Sequence, residues 1–195
     1  MTKRLAAQDW IDFALATLAR EGFHALKADV LARKLGVSRG SFYWHFANLR
    51  GFHGRVIAHW RQMATDAIIA DLAQYHAPEQ RLEVLLRRAF GHGALMEVRM
   101  RNWADKNAEA ARALGKIDRQ RRGYIEKLLR QTGVAPSAAA TRAQLLYWSY
   151  LGAALSRSKL AGAQLDRTVA ELKLIGLGRL PRKAAGLRRA ATPPR

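Results

Sequence analysis

Between Arg39 and Phe46 the chain reads Arg-Gly-Ser-Phe-Tyr-Trp-His-Phe. On a helix, Phe42 and Phe46 are four apart and share one face, which anchors the segment. Arg39, Gly40, Ser41, Tyr43, Trp44 and His45 then face outward. A guanidinium, a hydroxyl, an imidazole and a phenol are donors and acceptors that reach base edges and phosphates in a DNA groove. Other chemistries find little support. The chain has six histidines and no cysteine, and His53 and His59, six apart, fall on different helix faces without a completing carboxylate, so no metal is expected. His24 and His76 read as surface residues. His92 sits between Gly91 and Gly93, but no strand precedes it and the glycine spacing is wrong for a phosphate loop. No Ser/His/Asp or Cys/His set and no paired carboxylates in an apolar setting occur, so neither enzyme activity nor a cofactor is expected.

The elements that must position these side chains are helices. Trp10, Phe13, Ala14, Thr17 and Leu18 make one face of a first helix that stops at Gly22, read as a left-handed terminator. A second runs from Lys27 to Leu35, with Val30, Leu31 and Leu35 inward. Gly36 takes a left-handed corner, Val37 plugs the space between helices, and Ala32 allows a close crossing. Ser38 is expected to cap the third helix by accepting from the amide of Ser41. Helix, glycine turn and helix together form a helix-turn-helix. Asn48 caps a long fourth helix carrying Phe52, Val56, Trp60, Met63 and Ala67 as far as Tyr75.

Beyond Pro78 the periodicity predicts helices over 79–92, 94–104, 107–131, 137–160 and 164–176, an all-α fold of about nine helices. The expected organisation is an N-terminal DNA-binding domain over 1–50, a helical ligand-binding and dimerisation domain over 51–178, and a disordered basic tail over 179–195. Thirty-four Lys and Arg face fifteen Asp and Glu, a net charge of +19, which favours a polyanionic partner. No apolar run reaches a membrane span or resembles a signal peptide, so a cytoplasmic protein without a membrane partner is expected. Trp60, Met63, Phe90, Met96, Met100, Trp103, Tyr124 and Trp148 can line a ligand pocket or form ordinary core. Leu145, Leu146, Trp148, Leu151, Gly152 and Leu155 offer more apolar face than one neighbour hides, so the last two helices are expected to make a homodimer. The arginine runs Arg87-Arg88, Arg99/Arg101 and Arg119 to Arg122 read as solvated faces.

The segment Leu31-Ala32-x-x-Leu35-Gly36-Val37-Ser38-x-Gly40-Ser41-Phe42-Tyr43-x-His45-Phe46 resembles the N-terminal signature of the tetracycline-repressor (TetR) family. The resemblance covers about fifty residues, and the rest agrees in layout. It implies a homodimeric transcription regulator, usually a repressor, that binds a double-stranded palindromic operator and answers to a small-molecule effector, as yet unknown. Carried over by position, Arg39, Ser41 and His45 face bases, Tyr43 holds a phosphate, and Gly40 permits close backbone approach; Ser38 stands at the helix start, and Trp44 either packs on the sugar-phosphate or covers the first helix. Where that family commonly has Thr and then a basic residue at the start of the second helix, this chain has Lys27 and Asp29. Where it has a phosphate-holding Lys, this chain has Leu49, leaving Lys27 and Arg50 as phosphate contacts. The alternatives are a basic architectural protein that binds DNA by charge alone, or a small helical enzyme.

Overall fold

A computed structural model describes residues 5–92 and 94–178. Among the described residues there are nine helices and no strand. The basic tail expected over 179–195 lies outside them.

The head comprises α1 (Ala7–Glu21), α2 (Ala28–Leu35) and α3 (Arg39–His45). In α1, Asp9 accepts from the Ala6 amide at 2.7 Å, and Trp10, Ala14, Thr17 and Leu18 are buried. Gly22 does end α1, but with φ 89° and ψ −179° it is extended rather than left-handed helical, and the chain passes into a 3₁₀ turn at Phe23–Ala25. Gly36 ends α2 in the left-handed region, φ 69° and ψ 29°. There the Val37 amide bonds to the Ala32 carbonyl at 3.0 Å and the Gly36 amide to Arg33 at 3.2 Å. This is the paired closure of a Schellman motif, whose corner glycine adopts without a Cβ penalty. Ser38 occupies the N-cap of α3 without the expected side-chain bond; the Ser41 amide bonds its backbone carbonyl at 3.0 Å instead.

Helix α4 starts at Leu49, where the Asn48 side chain accepts from the Gly51 amide at 2.8 Å. It continues as Leu49–Arg61, a π-helical stretch Gln62–Asp66 and Ala67–Leu72, so it stops short of Tyr75. The remaining helices are α5 (Pro78–Gly91), α6 (Leu95–Ala104), α7 (Ala108–Gln131), α8 (Pro136–Leu155) and α9 (Gly162–Leu177). Pro78 and Pro136 open their helices where a missing amide costs nothing, and Asn107 caps α7 by accepting from Glu109 and Ala110. Helix α8 was expected to reach residue 160 but ends at Leu155. Arg157 turns to φ 55°, while the amides of Arg157 and Ser158 close back onto Ala154 and Ala153. The left-handed corner that usually marks itself with glycine here falls on an arginine, which hid the boundary.

Helix α7 is the central strut, packed on α8, α6, α5 and α4. Burial gathers the apolar residues into two clusters. The first joins the head (Trp10, Leu18, Leu31, Phe42, Phe46) to Phe52, Val56 and Trp60 of α4 and to Met100, Trp103, Leu114 and Ile117. The second unites α5, the far half of α7, α8 and α9 around Leu82, Leu128, Leu129, Leu146 and Val169. Helix α7 divides between the two, with Ala110, Leu114 and Ile117 in the first cluster and Ile125, Leu128 and Leu129 in the second. Among the described residues no helix is long and apolar enough to cross a membrane, and no cluster of three His, Cys, Asp or Glu could hold a metal.

Candidate nucleic-acid interface

Helix α3 is fastened by Phe42, which is fully buried and meets Trp10, Phe46 and Phe52 with ring centroids 5.4, 5.1 and 5.0 Å away. The edge-on contacts with Trp10 and Phe52 fix ring orientation beyond simple area burial. With that face committed, the opposite face is open: Trp44 is 75% and Tyr43 45% exposed, and Ser38, Arg39 and Gly40 are exposed. Ser41 and His45 are half-buried beside them, flanking the outward row. Arg39 donates to the Tyr43 hydroxyl at 3.1 Å and lies 5.4 Å over its ring. The pair presents a guanidinium already turned along the helix surface. At Gly40 an added Cβ would meet only Ser38 Oγ at 3.6 Å, so the glycine is unforced by packing and leaves its space to an outside surface.

Lys27 is exposed at the N-cap of α2, on the edge of the same head. Leu49 is partly buried against the head's core. Arg50 is exposed, yet its Nε donates to Glu109 of α7 at 2.8 Å. The sequence alone had no means of pairing residues 59 positions apart.

Three further contacts join head and body. Arg99 of α6 donates to the carbonyls of Ala19 and Arg20, each at 3.2 Å, satisfying the open C-terminal end of α1. Trp103 stacks on Phe23 at 4.7 Å. The His53 ring nitrogen Nε2 lies 2.9 Å from the Leu26 carbonyl, between Phe23 and Trp103. Burial pushes the His53 pKa below the ordinary value, against the opposing pull of the Leu26 carbonyl. A depressed folded-state pKa means that the unfolded chain binds the extra proton as pH falls through about 6.5. The expected result is a fall in thermal midpoint as pH drops below about 6.5, and His53→Gln should flatten that fall. An unchanged slope in the variant would show that His53 does not carry the effect.

In the body, a cavity of about 500 Å³ lies among α4 to α8. Trp60, Phe90, Met96 and Tyr124 border it as the sequence suggested. The other four do not. Met100 and Trp103 are buried in the cluster beneath the head, whereas Met63 and Trp148 are exposed. The cavity floor is polar, and here the arginine runs correct the solvated-face reading. Arg121 is mostly buried: Nη1 donates to Glu97 at 2.8 Å, Nε to Thr65 at 2.9 Å and Nη2 to the Ala64 carbonyl at 3.2 Å. Its guanidinium also lies 5.1 Å over Trp60. Arg101 Nη2 donates to Asp118 at 2.9 Å and to the Tyr147 hydroxyl at 3.1 Å, and Tyr147 donates to Asp118 at 2.6 Å. The Glu97 Oε1 atom lies 2.7 Å from Arg101 Nη2 but off its N–H directions, an ion pair without a hydrogen bond. Burial alone would lower both guanidinium pKa values. The flanking carboxylates more than reverse this, for Arg121 through Glu97 and for Arg101 through Asp118 and Glu97. Arg87 and Arg88 are likewise paired, with Asp166 and Asp71, while Arg119 is exposed. Sequence reasoning missed Glu97, Thr65 and Tyr150 at this floor; a glutamate amid the apolar residues of α6 was the available signal.

The outer side of α8 and α9 is apolar. Leu145, Trp148, Leu155 and Ile175 are exposed, Trp148 to 58% and Leu155 to 60%. Leu151 is half-buried, and nothing would approach a Cβ at the exposed Gly152. Leu146, expected on this face, points inward at 1% exposure, because 145 and 146 lie about 100° apart around the helix.

The family model "Bacterial regulatory proteins, tetR family" matches residues 11–52, the span from α1 into α4. No curated protein matches the sequence significantly. Among solved structures, a TetR transcription regulator from Haloarcula marismortui superposes with a TM-score of 0.71 at 15% identity, over 87% of this chain and 95% of that one. A protein described as a transcriptional regulator from Saccharomonospora viridis, in complex with choline, gives 0.68 at 15% identity over 85% and 92%. The transcriptional regulator FadR from Bacillus subtilis, in complex with stearoyl-CoA, gives 0.65 at 15% identity over 89% and 99%. The head thus carries the sequence match to the tetR family model, over residues 11–52, and the chain as a whole shares the fold of these solved structures.

Proposed function

We propose that the protein is a ligand-responsive repressor that binds a pseudo-palindromic operator as a homodimer. The observation that carries the reading is α3, locked by Phe42 on one side and presenting Arg39, Tyr43 and Trp44 on the other. Two copies of this helix enter successive major grooves, with half-sites about 34–36 Å apart as in other helix-turn-helix dimers. Arg39 reads guanine, with Ser41 and His45 beside it, while Tyr43, Lys27 and Arg50 hold phosphates. The exposed apolar stripe of α8 and α9 supports the dimer, and the choline and stearoyl-CoA complexes of two fold relatives support an effector in this one.

The effector has a physical route to the head. Helix α4 begins beside the reading helix and passes the cavity at Trp60, Ala64, Thr65, Ile68 and Ile69. Its π stretch Gln62–Asp66 falls at this passage, a feature frequent at functional sites. Ligand must bind the DNA-incompetent arrangement better, since equal affinity for both shifts nothing.

The test uses fluorescence anisotropy on a duplex selected from a random pool and on its scrambled version. Arg39→Ala is expected to relax preference at one base position by on the order of tenfold. Lys27→Ala should weaken all duplexes alike and flatten the salt dependence by about one counterion. Tyr43→Phe should cost less than Tyr43→Ala. Wild-type affinity and specificity in both Arg39→Ala and Tyr43→Ala would remove α3 as the reading element. Light scattering should return twice the 21.8 kDa chain mass, and a monomer that still binds the selected site would remove the dimer.

A further inference from the structure

We propose that the effector is an uncharged molecule, apolar over most of its body with one hydroxyl or amide N–H at its inner end. This rests on reading the α4–α8 cavity as the effector site. The walls are aliphatic and aromatic: Ile68, Leu85, Phe90, Met96 and Ile125. A volume of about 500 Å³ lies within the range that encloses a drug-sized ligand.

The floor decides the charge. Glu97 Oε2 receives Arg121 at 2.8 Å and the Tyr150 hydroxyl at 3.2 Å, and Oε1 is ion-paired to Arg101 at 2.7 Å. Asp118 is in turn bound by Arg101 and Tyr147. Glu97 and Arg121 line the cavity facing each other, and Arg101 and Asp118 complete the network behind them, two carboxylates against two guanidiniums, so the floor is neutral and each charge already has its counter-charge. A cationic ligand group finds no free carboxylate there. An anionic one must take Arg121 from Glu97, which then remains buried with one partner fewer. Either arrangement leaves an uncompensated charge away from water, the costliest state in a protein interior. At the rim Arg88 is already bound to Asp71, so the entrance adds no free cation from that residue.

Hydrogen bonding remains available. Tyr150 donates its proton to Glu97 and keeps a lone pair that accepts from a ligand O–H or N–H. Burial and Glu97 hold its pKa above the ordinary phenol value, so it stays a neutral acceptor at physiological pH.

One scaffold carrying three charges tests this: octan-1-ol, octanoate and octyltrimethylammonium below micellar concentrations, titrated into the full chain. Binding is read from the emission of Trp60, which borders the cavity, with Trp60→Phe as the spectroscopic control. Octanol is expected to saturate, with both ions at least about tenfold weaker. Ala89→Trp, which fills the cavity from α5, should abolish octanol binding. Glu97→Gln leaves the floor with one excess positive charge, and octanoate should then bind at least as well as octanol. Octanoate or the ammonium matching octanol in the wild type overturns the charge assignment while leaving the cavity as the site. No saturable response to any of the three, or octanol binding indifferent to Ala89→Trp, overturns the cavity reading itself.

Discussion

Arg121→Ala is expected to lower the unfolding free energy by about 3–5 kcal/mol, the usual cost of removing one partner from a buried ion pair. The loss arises less from the attraction removed than from what is left behind. Glu97, 3% exposed, keeps only Arg101 and Tyr150, while Thr65 and the Ala64 carbonyl lose their donor. Because the released carbonyl lies in the π stretch of α4, the same change should loosen the link between cavity and head. Urea denaturation at fixed protomer concentration measures it, since the stability of the proposed dimer would depend on concentration. Pairing Arg121→Met with Glu97→Leu removes both charges and should recover much of the loss. If the single variant costs under about 1 kcal/mol, the network is too solvated to have been buried as described.

Phe42→Ala should be comparably severe, at about 3–5 kcal/mol, because a fully buried ring leaves a cavity that Trp10, Phe46 and Phe52 can only partly fill. Its functional signature should differ from that of Arg121. Helix α3 has seven residues and makes its cross-helix aromatic contacts through Phe42 and Phe46. Operator affinity is therefore expected to fall further than global stability alone implies, at temperatures where far-ultraviolet circular dichroism still shows a folded body. Phe42→Leu should retain most of both. Normal operator binding by a folded Phe42→Ala protein would show that α3 is positioned by something other than this ring.

The head was legible because its information is local. Gly36 and Val37 close α2 through bonds to residues three and five positions back, Asn48 caps α4 through the amide of Gly51, and Phe42 and Phe46 meet one helical turn apart. Turn chemistry and a 3.6-residue period act over a few residues, so a string of residue types suffices to read them. The failures share the opposite property. Helix α8 stops on Arg157 rather than on a glycine, a choice made by how the α8–α9 connection folds back. Ser38 has the right side chain for a cap, but the backbone took the bond.

Among the arginines, composition offered only a sum. The arginine runs read as solvated faces, yet Arg121 meets Glu97, and Arg101 meets Asp118 and Tyr147, on other helices, across 17 to 46 positions. Whether a charge is solvated or buried depends on which counter-charge the packing delivers, and no spacing rule encodes that. The same holds for the eight cavity candidates. Apolar periodicity marked all of them as inward or adaptable, but only the crossing of α4 with α5, α6 and α7 put Trp60, Phe90, Met96 and Tyr124 around open space and Trp103 under the head. The sequence determined the nine helices, the turn that sets α3 beside α2 and the residues α3 turns outward, because each depends on neighbours a turn away. Tertiary structure alone decided the neutral floor of the cavity and the grip of Glu97 on Arg121, because those depend on long-range pairings and on the desolvation that packing imposes.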